Sequence, residues 1–367
     1  MTISPPPKNS ETIQNIEKNV CSILQNSVAP IANEIDNNQE ALKIALMGLG
    51  QSGLLALQIP PKWGGLELNQ QDFFNYQLLI ARYSGALAFL QTQHQSAAVM
   101  LASSKNYQLQ QQYLPHLSHG KILLGIGFSH LRRSGEASVK AFSTKGGYHI
   151  EGRVPWISGW NIFQEFIIGA ELPDGRAIFG ILPLIDTNQL SGSITFSEIM
   201  PLCAMTSTNT VSATVKNWFL SDEQVVLIKP VNWIQSNDRK KVLRFSAFAI
   251  GCAFAGIDII REVSKTKSMA FIEDASISLQ TEVNQCRKAI EEANKNPDAD
   301  FGKKLHLRAT AINLAQRCAA AAVTVSSGAA NHKNHGAQRV YREALVYTVS
   351  GQTTAIMEAS LAKLTVG

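Results

Sequence analysis

The chain reads as an α+β protein in three blocks, and three changes of texture predict it. Apolar residues recur at three- and four-residue steps through the first third, alternate over short stretches in the middle, and return to helical spacing after Pro230. The blocks implied are a loose, disordered tail at 1–10, an N-terminal helical domain at 11–120, a small β-sandwich or barrel at 121–230, and a four-helix up-down bundle at 231–367.

The first helix carries Ile13, Ile16, Val20, Ile23 and Leu24 on one face, and a second carries Ala41, Ile44, Ala45 and Leu49 before stopping near Gly53. The run Ile59-Pro60-Pro61-Lys62-Trp63-Gly64-Gly65-Leu66 is a turn, because two prolines and two glycines cannot continue a helix. Asn69 caps a third helix expected to run unbroken through Tyr76, Leu79, Ile80, Tyr83 and Leu87, and another covers Gln110 to Leu117. Strands are expected at 121–128, 148–154, 165–170, 177–182, 192–196 and 210–219, with turns at Lys145-Gly146-Gly147 and Pro173-Asp174-Gly175. Long helices follow at about 239–270, 273–294, 301–327 and 337–364, broken at Asn296-Pro297-Asp298 and at Gly328–Gly336. On the first of them Phe245, Phe248, Cys252, Ala255 and Ile259 form an apolar stripe, and Gly251, Ala253 and Gly256 let a neighbour approach closely.

Composition narrows the function classes. The chain is 45% hydrophobic and 17% charged, as globular proteins are, and its net charge of +5 is scattered rather than gathered into a face for nucleic acid. No run of about 18 apolar residues suggests a membrane span. The five cysteines lie far apart without metal-ligand spacing, so reduced thiols in a cytoplasmic setting are expected and no metal site is. His332 and His335 share a loop but lack a third ligand. The stretch Gly152-Arg153-Val154-Pro155-Trp156-Ile157-Ser158, at a strand edge before the apolar run 163–170, suits a flat ring laid against backbone with a short hydroxyl beside it.

The block order and several local motifs together resemble the acyl-CoA dehydrogenase family of flavoproteins, over roughly residues 11–364. Ile59 to Leu66 is similar to the family's Pro-x-x-x-Gly-Gly turn, and Gln112-Tyr113-Leu114-Pro115-His116-Leu117-Ser118-His119-Gly120 to its Leu-Pro-x-Leu-x-x-Gly stretch. Gly152 to Ser158 matches Gly-x-x-x-Trp-Ile-Thr/Ser. The resemblance implies a flavin-dependent oxidoreductase acting on the CH–CH group of an acyl thioester, with an acyl-CoA or acyl-carrier-protein substrate, and a homodimer or homotetramer packed through the bundle. It also implies that Trp156 packs on the isoalloxazine, that the Ser158 hydroxyl and Ile157 backbone approach its reactive nitrogen, and that Phe128 and Ser129 meet its pyrimidine edge. Over Ser129 to Glu136 the family pattern Thr-Glu-Pro-x-x-Gly-Ser-Asp survives only in type at the ends, and Arg132 and Arg133 are additions that read as a solvated loop, with a phosphate or carboxylate contact as the alternative. Met200 to Thr210 resembles Met-Gly-x-Arg-x-Ser-x-Thr, keeping Thr208 and Thr210.

The departures fall on the chemistry. Counting from Arg342-Glu343-Ala344 puts Gly351 where the family's glutamate base stands, with Thr353 near its threonine, and the alternative base position falls at about Lys241. Neither is a carboxylate. A glutamate introduced at 351 would then be expected to create α-proton abstraction. Glu343 and Glu358, on the last helix, read as structural and solvated. His94 is a candidate proton relay, with a satisfied interface histidine as the alternative. Lys267 is the only basic residue aligned with the arginine that grips the adenosine side of FAD, so FMN or a transiently bound reduced flavin stands beside FAD as the implied cofactor. The run Gln338-Arg339-Val340-Tyr341-Arg342 is similar to the flavin monooxygenase branch of the same fold. A reduced-flavin monooxygenase or oxidase is thus the alternative to α,β-dehydrogenation, and a catalytically silent flavin- or acyl-binding protein is a third reading.

Overall fold

The structure, a computed structural model, describes residues 10–133, 135–296 and 299–365, with side chains from residue 17. Of the expected tail at 1–10 all but Ser10, which already belongs to a helix, and of the expected break at Asn296-Pro297-Asp298 the last two residues lie outside the described residues. Six helices come first: α1 (Ser10–Ile23), α2 (Ala32–Asn37), α3 (Gln39–Gln51), α4 (Gln70–Tyr83), α5 (Gly85–Ala102) and α6 (Tyr107–Leu117). The expected third helix is two. Ser84 turns extended at φ −155° and its hydroxyl accepts from the Leu87 N–H, so the residue that ends α4 caps α5.

Nine strands follow among the described residues: β1 (Leu124–Gly127), β2 (Val139–Thr144), β3 (Gly147–Ile157), β4 (Glu165–Glu171), β5 (Ala177–Pro183), β6 (Thr187–Asn188), β7 (Ser193–Phe196), β8 (Val211–Ser221) and β9 (Val225–Lys229). They run in the order β6-β7-β8-β3-β2-β4-β5-β9, with β1 parallel to β4. One pairing, Lys140 with Glu171, joins β2 to β4, so the sheet is two halves on a thin seam. The halves also pack face to face: a Cβ added at Gly180 of β5 would stand 2.4 Å from a terminal methyl of Leu220 of β8, so that side chain fills the space a larger residue would need. The expected strands missed β2, β6 and β9, which are short or carry polar residues such as Lys140, Ser143 and Thr144.

The C-terminal helices are α7 (Trp233–Lys240), α8 (Ser246–Lys267), α9 (Ala270–Lys295), α10 (Phe301–Ser326), α11 (Gly336–Val349) and α12 (Thr354–Thr365). Two expected helices are each divided: α7 is separate from α8, and the final one breaks at Ser350–Thr353, where Gly351 sits at φ +61°. Helix α8 is the buried axis, and Gly251 carries the closest approach, since a Cβ there would lie 2.4 Å from Leu78 O and 2.8 Å from Ala81 Cβ of α4. The Arg82 guanidinium clasps Asp258 with two bonds of 2.6 and 2.7 Å across the same contact. Among the described residues, no helix is long and apolar enough to cross a membrane.

A buried polar knot ties the first domain to α11. Glu343, 0% exposed, pairs with Arg339 at 2.7 Å and accepts the Gly85 N–H at 3.0 Å, at the N-terminus of α5. Arg342 reaches Asp36 of α2 at 2.7 Å, and the other Asp36 oxygen accepts the Met205 N–H at 2.7 Å. The histidine expected as a relay ties the domains a second way. His94 Nε2 lies 3.0 Å from Leu117 O and Nδ1 accepts the Leu124 N–H at 3.0 Å, which pins β1 to α5 and α6.

Candidate functional site

The Trp-Ile-Ser stretch sits where β3 loses register with β8, between Val154 and Ile157. The irregularity leaves Ile157 and Ser158 buried but turns Trp156 outward, 46% exposed. A large aromatic side chain beside a buried core, uncovered by its own chain, is a surface made to be covered. Next to it lies a hydroxyl trio. Ser158 Oγ is 2.8 Å from Thr210 Oγ1, which is 3.3 Å from Thr208 Oγ1, and the Thr208 hydroxyl donates to Met205 O. Backbone bonds from Gly159 N to Thr208 O and from Trp160 N to Asn209 O hold the two segments together. Sequence reasoning singled out Ser158 and both threonines but not their mutual bonding.

At the end of β1, Phe128 is buried with its ring edge-on to Phe179 at 5.4 Å, while Ser129 is exposed and opens a short 3₁₀ turn. Arg132 in that turn is not a solvated loop residue: two bonds of 2.7 and 3.0 Å commit it to Asp238 of α7. Arg133 is exposed. His130 points inward, bonded to Gly169 O at 2.9 Å.

The position aligned with a base is filled from the other side. A Cβ at Gly351 would lie 2.5 Å from two ring atoms of Phe245, the residue before α8. With φ +61° as well, a glutamate at 351 would meet both a strained backbone and the Phe245 ring. Thr353 accepts the Ile356 N–H and so caps α12. Lys241 follows the last residue of α7, and partial desolvation of its ammonium, then Arg244 and Lys229, hold it below the usual lysine value.

The remaining candidates are occupied elsewhere. Both ring nitrogens of His94 meet backbone, and burial pulls its pKa down to about 4. Lys267 donates to Val325 O at 2.6 Å and Ser327 Oγ at 3.2 Å, capping the end of α10, and by the helix rise it lies roughly 30 Å along α8 from Phe245. His335 caps α11 through Nδ1, His332 is exposed, and Glu358 is exposed on α12.

Two guanidiniums that the sequence reading did not single out flank Phe245. Arg244 lies 5.9 Å from the ring centroid and donates to Ser96 Oγ of α5 at 2.8 Å. Arg308 of α10 lies 5.8 Å from it, is 1% exposed, and donates to Ser350 O at 3.0 Å.

Comparison with known proteins gives a consistent picture. The family model described as acyl-CoA dehydrogenase, N-terminal domain, matches residues 10–121. A probable acyl-CoA dehydrogenase of Bacillus subtilis is 22% identical, with 95% of this chain and 97% of the relative covered. A glutaryl-coenzyme A dehydrogenase solved with glutaryl-CoA superposes with a TM-score of 0.81 at 18% identity, covering 100% of this chain and 98% of that one. PigA, solved with FAD and proline, superposes with a TM-score of 0.78 at 17% identity, covering 99% of each. Residues 10–121 thus match the N-terminal domain of the acyl-CoA dehydrogenases, and the chain as a whole has the fold of those enzymes.

Proposed function

We propose that the protein is a flavin-dependent oxidoreductase whose substrate reacts without a protein carboxylate at either of the two family base positions. The single observation that carries this reading is Phe245 packed against Gly351, with cations rather than carboxylates around it. The residues present fit a flavin. Trp156 offers an uncovered aromatic wall, Ser158 with Thr208 and Thr210 a buried hydroxyl group beside it, and Phe128 and Ser129 backbone and hydroxyl at the neighbouring strand end. A bound flavin supplies two-electron redox chemistry. The chain's own part is to orient the ring on Trp156, to exclude water with the apolar faces of β1 and β3, and to keep proton-transferring side chains away from the 351 position. FAD is the first choice and FMN the alternative, because Lys267 is spent on the end of α10. A second copy packed on the bundle accounts for the exposed apolar residues Phe271, Leu345, Val349 and Leu361.

A second reading, α,β-dehydrogenation of an acyl-CoA or acyl-carrier thioester, draws support from the Bacillus relative that spans nearly the whole chain. The test is the absorbance spectrum of the purified protein, first alone and then mixed anaerobically with acyl thioesters. Yellow protein whose colour survives the thioesters supports the base-free reading; thioester-dependent bleaching supports the second; colourless protein that ignores added FAD and FMN overturns both.

A further inference from the structure

The groups around Phe245 have a charge arrangement that neither reading requires. Arg244 stands where three parts of the chain meet: it is bonded to Ser96 of α5, it precedes α8, and it lies close enough to Arg132 of the β domain for the two charges to repel. Burial first, and then Arg132, push its guanidinium below the usual value. The one acid whose charge reaches it, Asp238, is bound at both oxygens by Arg132. Lys241, three residues earlier, has no ion-pair partner among the described residues. Arg308 is stronger evidence still. Only one of its terminal nitrogens is used, on Ser350 O, while Nε and Nη1 are buried without a hydrogen-bond partner among the described residues. Burial alone brings its pKa down to about 9, with no acid beside it. Buried guanidiniums are normally paired, because desolvating an uncompensated charge is costly. Arg308 fully buried and Arg244 half-buried, both beside one ring and neither with an ion-pair partner among the described residues, mark a place prepared for an anion.

We propose that the junction around Phe245 is an oxyanion-binding subsite, in which Arg244 and Lys241 receive a carboxylate or phosphate of the substrate and Arg308 supplies positive potential from behind the ring. The proposal rests on the flavin-enzyme reading and deepens it by naming the substrate class: a molecule carrying its own negative charge at the reacting end. Guanidinium is the side chain best matched to such a group, through paired N–H donors. The positions that hold a negative base in the family would here face a negative substrate, and a carboxylate at 351 would repel it.

Calorimetric titration of the full-length protein with hexanoate, with its neutral isostere hexanamide, and with inorganic phosphate tests this directly. Hexanoate or phosphate is expected to bind at least about tenfold tighter than hexanamide, the scale of one charge-assisted hydrogen bond. Tighter hexanoate assigns a carboxylic acid, tighter phosphate a phosphate ester. Arg244→Gln is expected to abolish the preference while leaving the melting temperature and flavin content alone; Arg308→Lys, which keeps the charge, is expected to retain most of it. Equal binding of all three probes, or an undiminished preference in Arg244→Gln, overturns the proposal. Flavin content is read from the visible spectrum of the same samples, which separates the two ideas. Colourless protein that still prefers anions refutes the flavin reading alone, and yellow protein without the preference refutes the subsite alone.

Discussion

At the scale of single residues, Gly351 and His94 make opposite points about what a position in this fold can hold. Replacing Gly351 with glutamate forces a side chain into a left-handed backbone and onto the Phe245 ring. The expected cost is about 2–4 kcal/mol, seen as a lower melting temperature, with no gain of thioester oxidation. His94 is held neutral by burial, with its pKa lowered from 6.5 to about 4. The unfolded chain therefore binds the proton first as pH falls, and stability is lost between those two values. Going from pH 7 to pH 5 should remove about 2 kcal/mol through this one ring. Melting curves of the wild type against His94→Gln check it: the variant is less stable at pH 7 but falls less steeply toward pH 5. Trp156→Ala should weaken flavin retention about tenfold, the value of one aromatic contact, measured by the flavin left after gel filtration.

At the scale of elements, the contact between α4 and α8 depends on Gly251 having no side chain. Gly251→Ala should destabilise by about 1–3 kcal/mol in a denaturant titration, although alanine is the better helix former by about 1 kcal/mol. The small-residue spacing on α8 made this close approach legible in the sequence, and helical and alternating periods made most elements so. What the periodicity could not show was interruption. A capping serine at 84 and a left-handed glycine at 351 break helices without disturbing the apolar pattern around them, because the breaks take only one and four residues. The strand β2 was hidden for a related reason: its pairing with β3 comes from backbone bonds through a tight turn, while Lys140, Ser143 and Thr144 dilute its apolar alternation. The site divides the same way. Trp156, Ile157 and Ser158 are consecutive and could be read as a phrase. Arg244, Arg308, Phe245 and Gly351 meet only through the packing of α8, α10 and the loop after α11, so no local pattern announces them.

At the scale of the whole molecule, the domains are joined by charges that water does not reach. Removing Glu343 leaves Arg339 and the Gly85 N–H buried without their acceptor, so Glu343→Ala should cost about 3–5 kcal/mol and split one calorimetric transition into two as the helical domains part. The apolar residues Phe271 and Leu361, 68% and 54% exposed, make a second whole-molecule expectation. If a second copy covers them, the double substitution Phe271→Asp with Leu361→Asp shifts sedimentation toward a monomer while the far-ultraviolet circular dichroism stays the same. The knot also has a consequence for how the protein is made. Glu343 follows Gly85 by 258 positions, so a ribosome adding about 5–20 residues each second delivers it roughly 10–50 s after the helix it secures. Through that interval the nascent first domain presents an unanswered helix start and the Asp36 carboxylate to whatever is nearby, and its final form is set only when the last helices arrive.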